Sequence, residues 1–107
     1  TQPELAMVGL TEELCKAQEL DVTVKKGFFR SNGKALSMGE TDGLVKMIVN
    51  NADRTIVGCH ICGPHASDLI QEVVMAMNAG STVCDLAAAI HGHPTLSEAV
   101  QAVARQF

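Results

Sequence analysis

The pattern of apolar and polar positions divides the chain into a β-rich first half and a helical second half. A short apolar run predicts a first strand over residues 6–10. Asn50-Asn51-Ala52-Asp53 predicts a hairpin loop, and Ser31-Asn32-Gly33 predicts a turn. Three further runs are rich in β-branched and other apolar residues and predict strands; they lie at residues 22–25, 43–49 and 55–61.

Apolar residues at helical spacing predict two of the helices. Thr11, followed by two glutamates, predicts the N-cap of a helix that runs to about residue 20 and buries Leu14 and Ala17. Gly80 predicts the C-terminus of a longer helix. One apolar face of that longer helix is formed by Leu69, Ile70, Val73, Val74 and Met77.

Two capping patterns predict the last helices. Thr82 with Asp85 opens a short helix that extends to about residue 90, and Thr95 with Glu98 forms a capping-box pattern. The strands and helices form segregated runs, which predict an α+β fold: an antiparallel sheet with helices packed on one face, in a single domain over residues 1–107. The apolar stripe of the last helix comprises Leu96, Val100, Val103 and Phe107.

Composition and charge exclude several classes of function. The chain is 47% hydrophobic with no Trp or Tyr, so aliphatic side chains must supply the core. The net charge is −4 and the basic residues are dispersed, which argues against nucleic-acid binding. No run approaches the roughly 20 apolar residues that span a bilayer, and we expect a soluble protein. The four cysteines are expected to be reduced thiols in the cytoplasm, since an aliphatic core needs no disulfides.

Cys59-His60-Ile61-Cys62 is a C-x-x-C sequence, which can be a redox motif or half of a zinc site. A redox pair needs its first cysteine at a helix N-terminus, whereas this motif lies in a predicted strand. Side chains alternate along a strand, so the two cysteines should point to opposite faces and act as small apolar residues. His60 and His65 are interpreted as hydrogen-bonded or exposed. A metal site built from these cysteines and histidines is the alternative.

His91-Gly92-His93-Pro94 precedes the last predicted helix and presents two imidazoles on a stiff connection. Pro94 restricts His93 to extended backbone conformations. A loop at this position can bring His93 within reach of Glu98 in the first helical turn, as acid/base chemistry would need. The alternative is that Glu98 only caps the helix and His93 only shapes the loop.

These residues carry a resemblance to a known family. The segment from His91 to Ala99 resembles the H-x-H-P-T-x-x-E signature of the dihydrolipoamide dehydrogenases, which are FAD-dependent pyridine nucleotide–disulfide oxidoreductases. Residues 3–13 and 58–72 are similar to the first strand and helix start, and to the strand–turn–helix, of the family's C-terminal interface domain. The H-P-T-x-x-E core is shared with glutathione and trypanothione reductases, and His91 favours the lipoamide enzymes.

The resemblance implies that this chain is the C-terminal dimerisation domain of a homodimeric oxidoreductase. His93 would be the base and Glu98 would hold its second N–H, while the backbone at His93 and Pro94 would approach the flavin of the partner subunit. His91 would lie near the lipoyl channel. The implied cofactors are FAD and NAD, and the implied partners are the dihydrolipoyl groups of 2-oxo acid dehydrogenase complexes, in the cytoplasm or the mitochondrial matrix.

The chain also departs from the intact family members. It has no Gly-rich dinucleotide fingerprint and no C-x-x-x-x-C redox pair, so we expect no bound cofactor and no activity from the fragment alone. Two alternatives stay open: the equivalent domain of a related flavin disulfide reductase, and a stand-alone homodimerising module without a catalytic role.

Overall fold

A computed structural model describes residues 4–39, 43–89 and 91–107, without the side chains of residues 36–38. Residue 90, the expected end of the short helix that Thr82 and Asp85 open, lies outside the described residues. The predicted α+β class is confirmed. In chain order the elements are β1 (Glu4–Gly9), α1 (Glu12–Ala17), β2 (Val22–Phe28), a 3₁₀ turn (Phe29–Ser31), α2 (Gly33–Met38), β3 (Leu44–Asn50), β4 (Ile56–Gly63), α3 (Ala66–Asn78), α4 (Val83–Ala88) and α5 (Ser97–Ala104).

The four strands form one antiparallel sheet in the order β1-β4-β3-β2. The predicted hairpin joins its two central strands. Helix α3 packs against β1 and β4, and α5 packs against β2 and β3. Both helices share one buried cluster with the central strands, so they cover the same face of the sheet. The core between them and the sheet is almost wholly aliphatic, as the composition requires; its fully buried members include Val45, Met47, Val49, Ile61, Val73, Val100 and Val103.

Gly27 sets how closely α5 approaches the sheet. A Cβ atom at this position would lie 2.6 Å from Cγ2 of Val103, so only glycine allows the observed contact between β2 and α5. At the end of the same helix, Gln106 Nε2 donates a hydrogen bond of 2.7 Å to the Lys26 carbonyl. These contacts fix α5, and with it Glu98, against the sheet.

The prediction for α1 was wrong in two respects. The helix ends at Ala17, because Glu19 adopts a left-handed conformation (φ 56°) and Leu20 N–H bonds back to the Cys15 carbonyl. Leu14 and Ala17 are exposed, and the helix buries Cys15 instead. Leu14 and Ala17 lie three residues apart on one side of the helix, and this side faces outward because the side that carries Cys15 packs against the protein.

Helix α1 begins over the face of the sheet opposite to α3 and α5. Glu12 forms an ion pair with Lys46 (2.8 Å), and the neighbouring Leu10 carbonyl lies 3.3 Å from Nε2 of His60. Lys46 and His60 are paired across β3 and β4, so both point to this second face. The same face also carries the exposed apolar residues Leu5, Met7 and Phe28.

Helix α2 was not predicted. The sequence Ser31-Asn32-Gly33 was interpreted as a turn, but Asn32 Oδ1 accepts a hydrogen bond from Ala35 N–H (2.9 Å) and so caps a helical turn. By contrast, the capping box of Thr82 and Asp85 is present as predicted, and Gly80 follows the end of α3 in a left-handed conformation. Within the described ranges, no helix is both long and apolar enough to cross a bilayer.

Candidate functional site

The loop between α4 and α5 presents one histidine to the outside. His93 is 81% exposed at its side chain, and its Nδ1 atom lies 3.0 Å from both carboxylate oxygens of Glu98 in the first turn of α5. Because a carboxylate only accepts, Nδ1 carries the proton. In the neutral ring the lone pair is then on Nε2, which has no hydrogen-bond partner within the described residues and is available as a base.

Glu98 holds the loop as well as the imidazole. Its Oε1 atom accepts a hydrogen bond from Thr95 N–H (2.9 Å), which is one half of the predicted capping box. The other half is absent, because the Thr95 hydroxyl donates to the Gly92 carbonyl (2.7 Å) and the helix begins at Ser97. The capping and imidazole-binding roles of Glu98 are therefore compatible in one side chain.

The surroundings of Glu98 keep its carboxyl group ionised. The hydrogen bond from Thr95 N–H, and then the contact with His93, hold the pKa of Glu98 below its ordinary value of 4.5. At neutral pH the group is a carboxylate, which fixes the tautomer of His93 and stabilises the ring when it takes up a proton.

The lowered pKa predicts how Glu98 affects stability as a function of pH. A carboxyl group whose pKa is lower in the folded chain stabilises it fully above about pH 4.5, and this contribution is lost as the pH falls through the lowered pKa. Glu98→Gln should therefore destabilise the chain at pH 7 and have a shrinking effect on acidification. Urea unfolding over a pH series measures the difference, and a difference that is constant or grows at low pH would contradict the assignment.

Three buried or half-buried polar side chains, none of them predicted as part of the site, anchor the loop. Asn32 Nδ2 donates to the Thr95 carbonyl (3.0 Å) from the start of α2. Gln101 Nε2, from α5, donates to the carbonyls of Ala87 and Ala89 (3.1 and 2.8 Å). The third is Glu72 of α3, whose Oε2 atom bonds to Nε2 of His91. Each contact joins elements far apart in the chain, so spacing could not reveal it.

His91 faces inward, unlike its neighbour two residues later. Its side chain is only 5% exposed, and Nδ1 lies 3.0 Å from the Ala89 carbonyl. The expected pair of neighbouring imidazoles at the surface is therefore a single exposed imidazole and a buried one.

A cleft of about 430 Å³ opens beside the exposed pair. Its walls come from the end of β2, the 3₁₀ turn and the outer side of α5, and its lining includes Lys26, Phe28, Asn32, His93, Glu98 and Arg105. The peptide bond between His93 and Pro94 is cis, and Pro94 also lines the cleft. The imidazole is thus at the mouth of an open depression rather than in an enclosed pocket.

Comparison with known proteins decides the family. Residues 1–104 match the family model described as "Pyridine nucleotide-disulphide oxidoreductase, dimerisation domain". The chain belongs to this family. It is 46% identical over 98 residues to the dihydrolipoyl dehydrogenase of Bacillus subtilis, covering 92% of this chain and 21% of that protein. The dihydrolipoyl dehydrogenase of Halobacterium salinarum is 41% identical over 104 residues, covering 97% of the chain and 22% of that protein.

Solved structures agree with the family assignment. The Cu(II) complex of RclA, an HOCl-induced flavoprotein disulfide reductase from Escherichia coli, superimposes with a TM-score of 0.95 at 28% identity, covering 99% of this chain and 24% of that one. LpdA from Mycobacterium tuberculosis superimposes with a TM-score of 0.92 at 27% identity over 99% of this chain and 23% of that one. This dimerisation domain therefore spans about a fifth of the length of its relatives.

The two cysteines of the C-x-x-C sequence in this dimerisation domain do not lie together and so do not form a redox or metal site. Cys59 points into the core and burial raises the pKa of its thiol to about 12, whereas Cys62 lies on the opposite face of β4 and is partly exposed. All four cysteines are free thiols. In the described parts of the chain, no three His, Cys, Asp or Glu side chains are grouped so as to hold a metal ion.

The cysteines are expected to differ sharply in reactivity. Cys84 is exposed on α4 and should react rapidly with a thiol reagent at pH 8, whereas Cys59 is buried and almost wholly protonated and should react only on unfolding. Ellman's reagent measures both rates, and the Cys84→Ser variant assigns the fast phase. Rapid modification of native Cys59 would contradict its placement in the core.

Proposed function

We propose that this chain is the C-terminal dimerisation domain of a dihydrolipoyl dehydrogenase, and that His93 and Glu98 are its acid/base pair. The observation that supports this most strongly is the geometry of His93: Nδ1 is held by an ionised carboxylate, while Nε2 is open to the outside. Because the chain itself supplies no redox disulfide beside this imidazole, the pair would complete an active site whose other half belongs to a second subunit.

The chemistry of thiol–disulfide exchange explains the need for such a pair. A dithiol attacks a disulfide as its thiolate, yet an ordinary thiol with a pKa of about 8.5 is only a few per cent ionised at pH 7. His93 Nε2 would take the proton from one sulfur of the dihydrolipoyl group as that sulfur attacks the enzyme disulfide. The disulfide bond breaks as a mixed disulfide forms, and the imidazolium, stabilised by Glu98, then returns the proton to the departing thiolate.

The cofactors of the proposed enzyme would be held outside this chain. The described strands form a purely antiparallel sheet without the βαβ unit that binds dinucleotides. The chemistry that FAD would supply, when bound to the rest of the protein, is the transfer of two electrons from the dithiol to NAD⁺. What this chain offers is the exposed residues His93 and Pro94 and the open cleft that they line, which are accessible to a group carried by a neighbouring subunit.

The proposed partners follow from the same arrangement. The domain would join two copies of the full-length protein in a homodimer, and the dihydrolipoyl groups of 2-oxo acid dehydrogenase complexes would enter at the shared site. The expected location is the cytoplasm, or the mitochondrial matrix in a eukaryote.

An activity assay of the full-length protein tests the proposal. The protein should reduce NAD⁺ with dihydrolipoamide as electron donor, and should not reduce glutathione disulfide at a comparable rate. Turnover of another disulfide substrate with no dihydrolipoamide activity would replace the proposal by its alternative, a related flavin disulfide reductase. That alternative is favoured by the TM-score of 0.95 with the disulfide reductase RclA. Absence of both activities, with no flavin bound, would instead favour a homodimerising module without a catalytic role.

A further inference from the structure

Behind the exposed His93–Glu98 pair lies a second histidine–glutamate pair that faces inward. His91 inserts its ring between the end of α4 and the side of α3, where Nε2 bonds to Oε2 of Glu72. The side chains of His91 and Glu72 are 5% and 30% exposed, so His91 is the more deeply buried partner. The two histidines of the loop therefore point in different directions.

Both ring nitrogens of His91 are hydrogen-bonded within the protein. Nδ1 lies 3.0 Å from the Ala89 carbonyl, which can only accept, so Nδ1 carries a proton. Nε2 is occupied by Glu72. A general acid or base needs a nitrogen within hydrogen-bond reach of the substrate, and His91 has both nitrogens committed to the protein.

Glu72 depends on His91 in turn. Its second carboxylate oxygen, Oε1, is buried without a hydrogen-bond partner among the described residues, so the ring of His91 is the partner on which this carboxyl group relies. A buried carboxylate that loses its partner is strongly unfavourable. The pair is therefore mutually stabilised, which suits it to fixing the position of a loop.

His91 and Gln101 bind the same peptide group at the start of the loop. The Ala89 carbonyl accepts hydrogen bonds from both His91 Nδ1 and Gln101 Nε2, so the start of the loop is tied to α3 and to α5 together. Four residues after His91, the Thr95 carbonyl is held by Asn32. His93 lies between these two anchors, and among the described residues its side chain forms hydrogen bonds only with Glu98.

We propose that His91 and Glu72 are positioning residues for the acid/base pair: they clamp the start of the loop so that the His93 ring is presented with Nε2 outward. This rests on the proposed function, since it assigns these residues a part in the same reaction. Their effect on turnover comes from hydrogen-bonding geometry, and His91 exchanges no proton with the substrate. A displacement of a catalytic group by about 1 Å can cost on the order of 10²-fold in rate.

The test uses the full-length dimer with three variants of α3. Glu72→Ala removes the clamp, Glu72→Gln keeps its shape and its hydrogen bond to His91, and Gln71→Ala is a control at the exposed neighbouring position. We expect Glu72→Ala to lower kcat for dihydrolipoamide oxidation by roughly 10- to 100-fold with little change in KM. Glu72→Gln should recover most of the activity, and Gln71→Ala should equal the wild type.

A second readout separates positioning from a general loss of structure. NADH oxidation by an artificial electron acceptor needs the flavin but no acid/base group, and it should be unchanged in all three variants, as should FAD content. Equal losses of both activities in Glu72→Ala, or no loss of either, would overturn the positioning role. A Glu72→Gln variant as inactive as Glu72→Ala would overturn the geometric explanation. If wild-type protein fails to oxidise dihydrolipoamide, the proposed function fails instead.

Discussion

Replacement of His93 by Gln in the full-length protein is expected to lower dihydrolipoamide turnover by about 10²- to 10⁴-fold. The reason is that Gln retains a polar group of similar size but has no lone pair that can take up a proton at neutral pH. Glu98 would still accept the hydrogen bond from Thr95, so the loop should keep its conformation. The measurement is steady-state oxidation of dihydrolipoamide by NAD⁺, with FAD content determined in the same samples.

Two controls sharpen this prediction. His65→Asn changes an exposed histidine away from the loop, at a left-handed position that Asn tolerates, and should leave the rate unchanged. Oxidation of NADH by an artificial acceptor should be normal in His93→Gln, since that reaction needs no base for a dithiol. Retention of most dihydrolipoamide activity by His93→Gln would exclude His93 as the base.

The largest expected loss of stability follows from Phe29→Ala. Phe29 is fully buried in the core at the start of the 3₁₀ turn, and removal of a buried phenylalanine costs about 3–5 kcal/mol in the free energy of unfolding. The Phe29 carbonyl also accepts a hydrogen bond from Asn32 N–H (2.8 Å), and Asn32 holds the carbonyl of Thr95. The variant keeps this backbone carbonyl but loses the ring that packs the 3₁₀ turn leading to Asn32 into the core, so Phe29→Ala should also loosen the loop that carries His93.

The adjacent Phe28 provides a matched control. Its side chain is 41% exposed, and its ring stacks under the Arg30 guanidinium at 4.6 Å. Phe28→Ala should cost only about 1 kcal/mol, since it removes an exposed contact of this kind. Urea unfolding of both variants measures the difference, and similar losses for the two substitutions would contradict the placement of Phe29 in the core.

The sheet was predictable because its signals are local. The β3–β4 hairpin follows from two apolar runs around an Asn- and Asp-rich loop, and the register then places Met47 beside Cys59 in the core. The short helices were less predictable. Helix α1 buries Cys15 rather than Leu14, because which side of a six-residue helix meets the sheet depends on long-range contacts such as Glu12 with Lys46.

For the candidate site, as for the fold, the local features were predictable from the sequence and the long-range contacts were not. The five-residue separation of His93 and Glu98, with a helix start between them, showed only that a contact was possible, and the family resemblance implied that Glu98 holds an N–H of His93. The inward orientation of His91 was not, because it depends on Glu72, 19 residues away on another helix. Asn32 illustrates the same limit: its turn-forming sequence gives no sign that it bonds a carbonyl 63 residues later.

Hybrid dimers test directly whether His93 acts on the disulfide of another subunit. One full-length subunit would carry His93→Gln and the other would lack the redox cysteines of its flavin domain, with a different affinity tag on each. If His93 acts across the dimer, the hybrid has one complete active site and should show about half of the wild-type turnover, although each parent dimer is inactive. A purified hybrid as inactive as its parents would contradict the account.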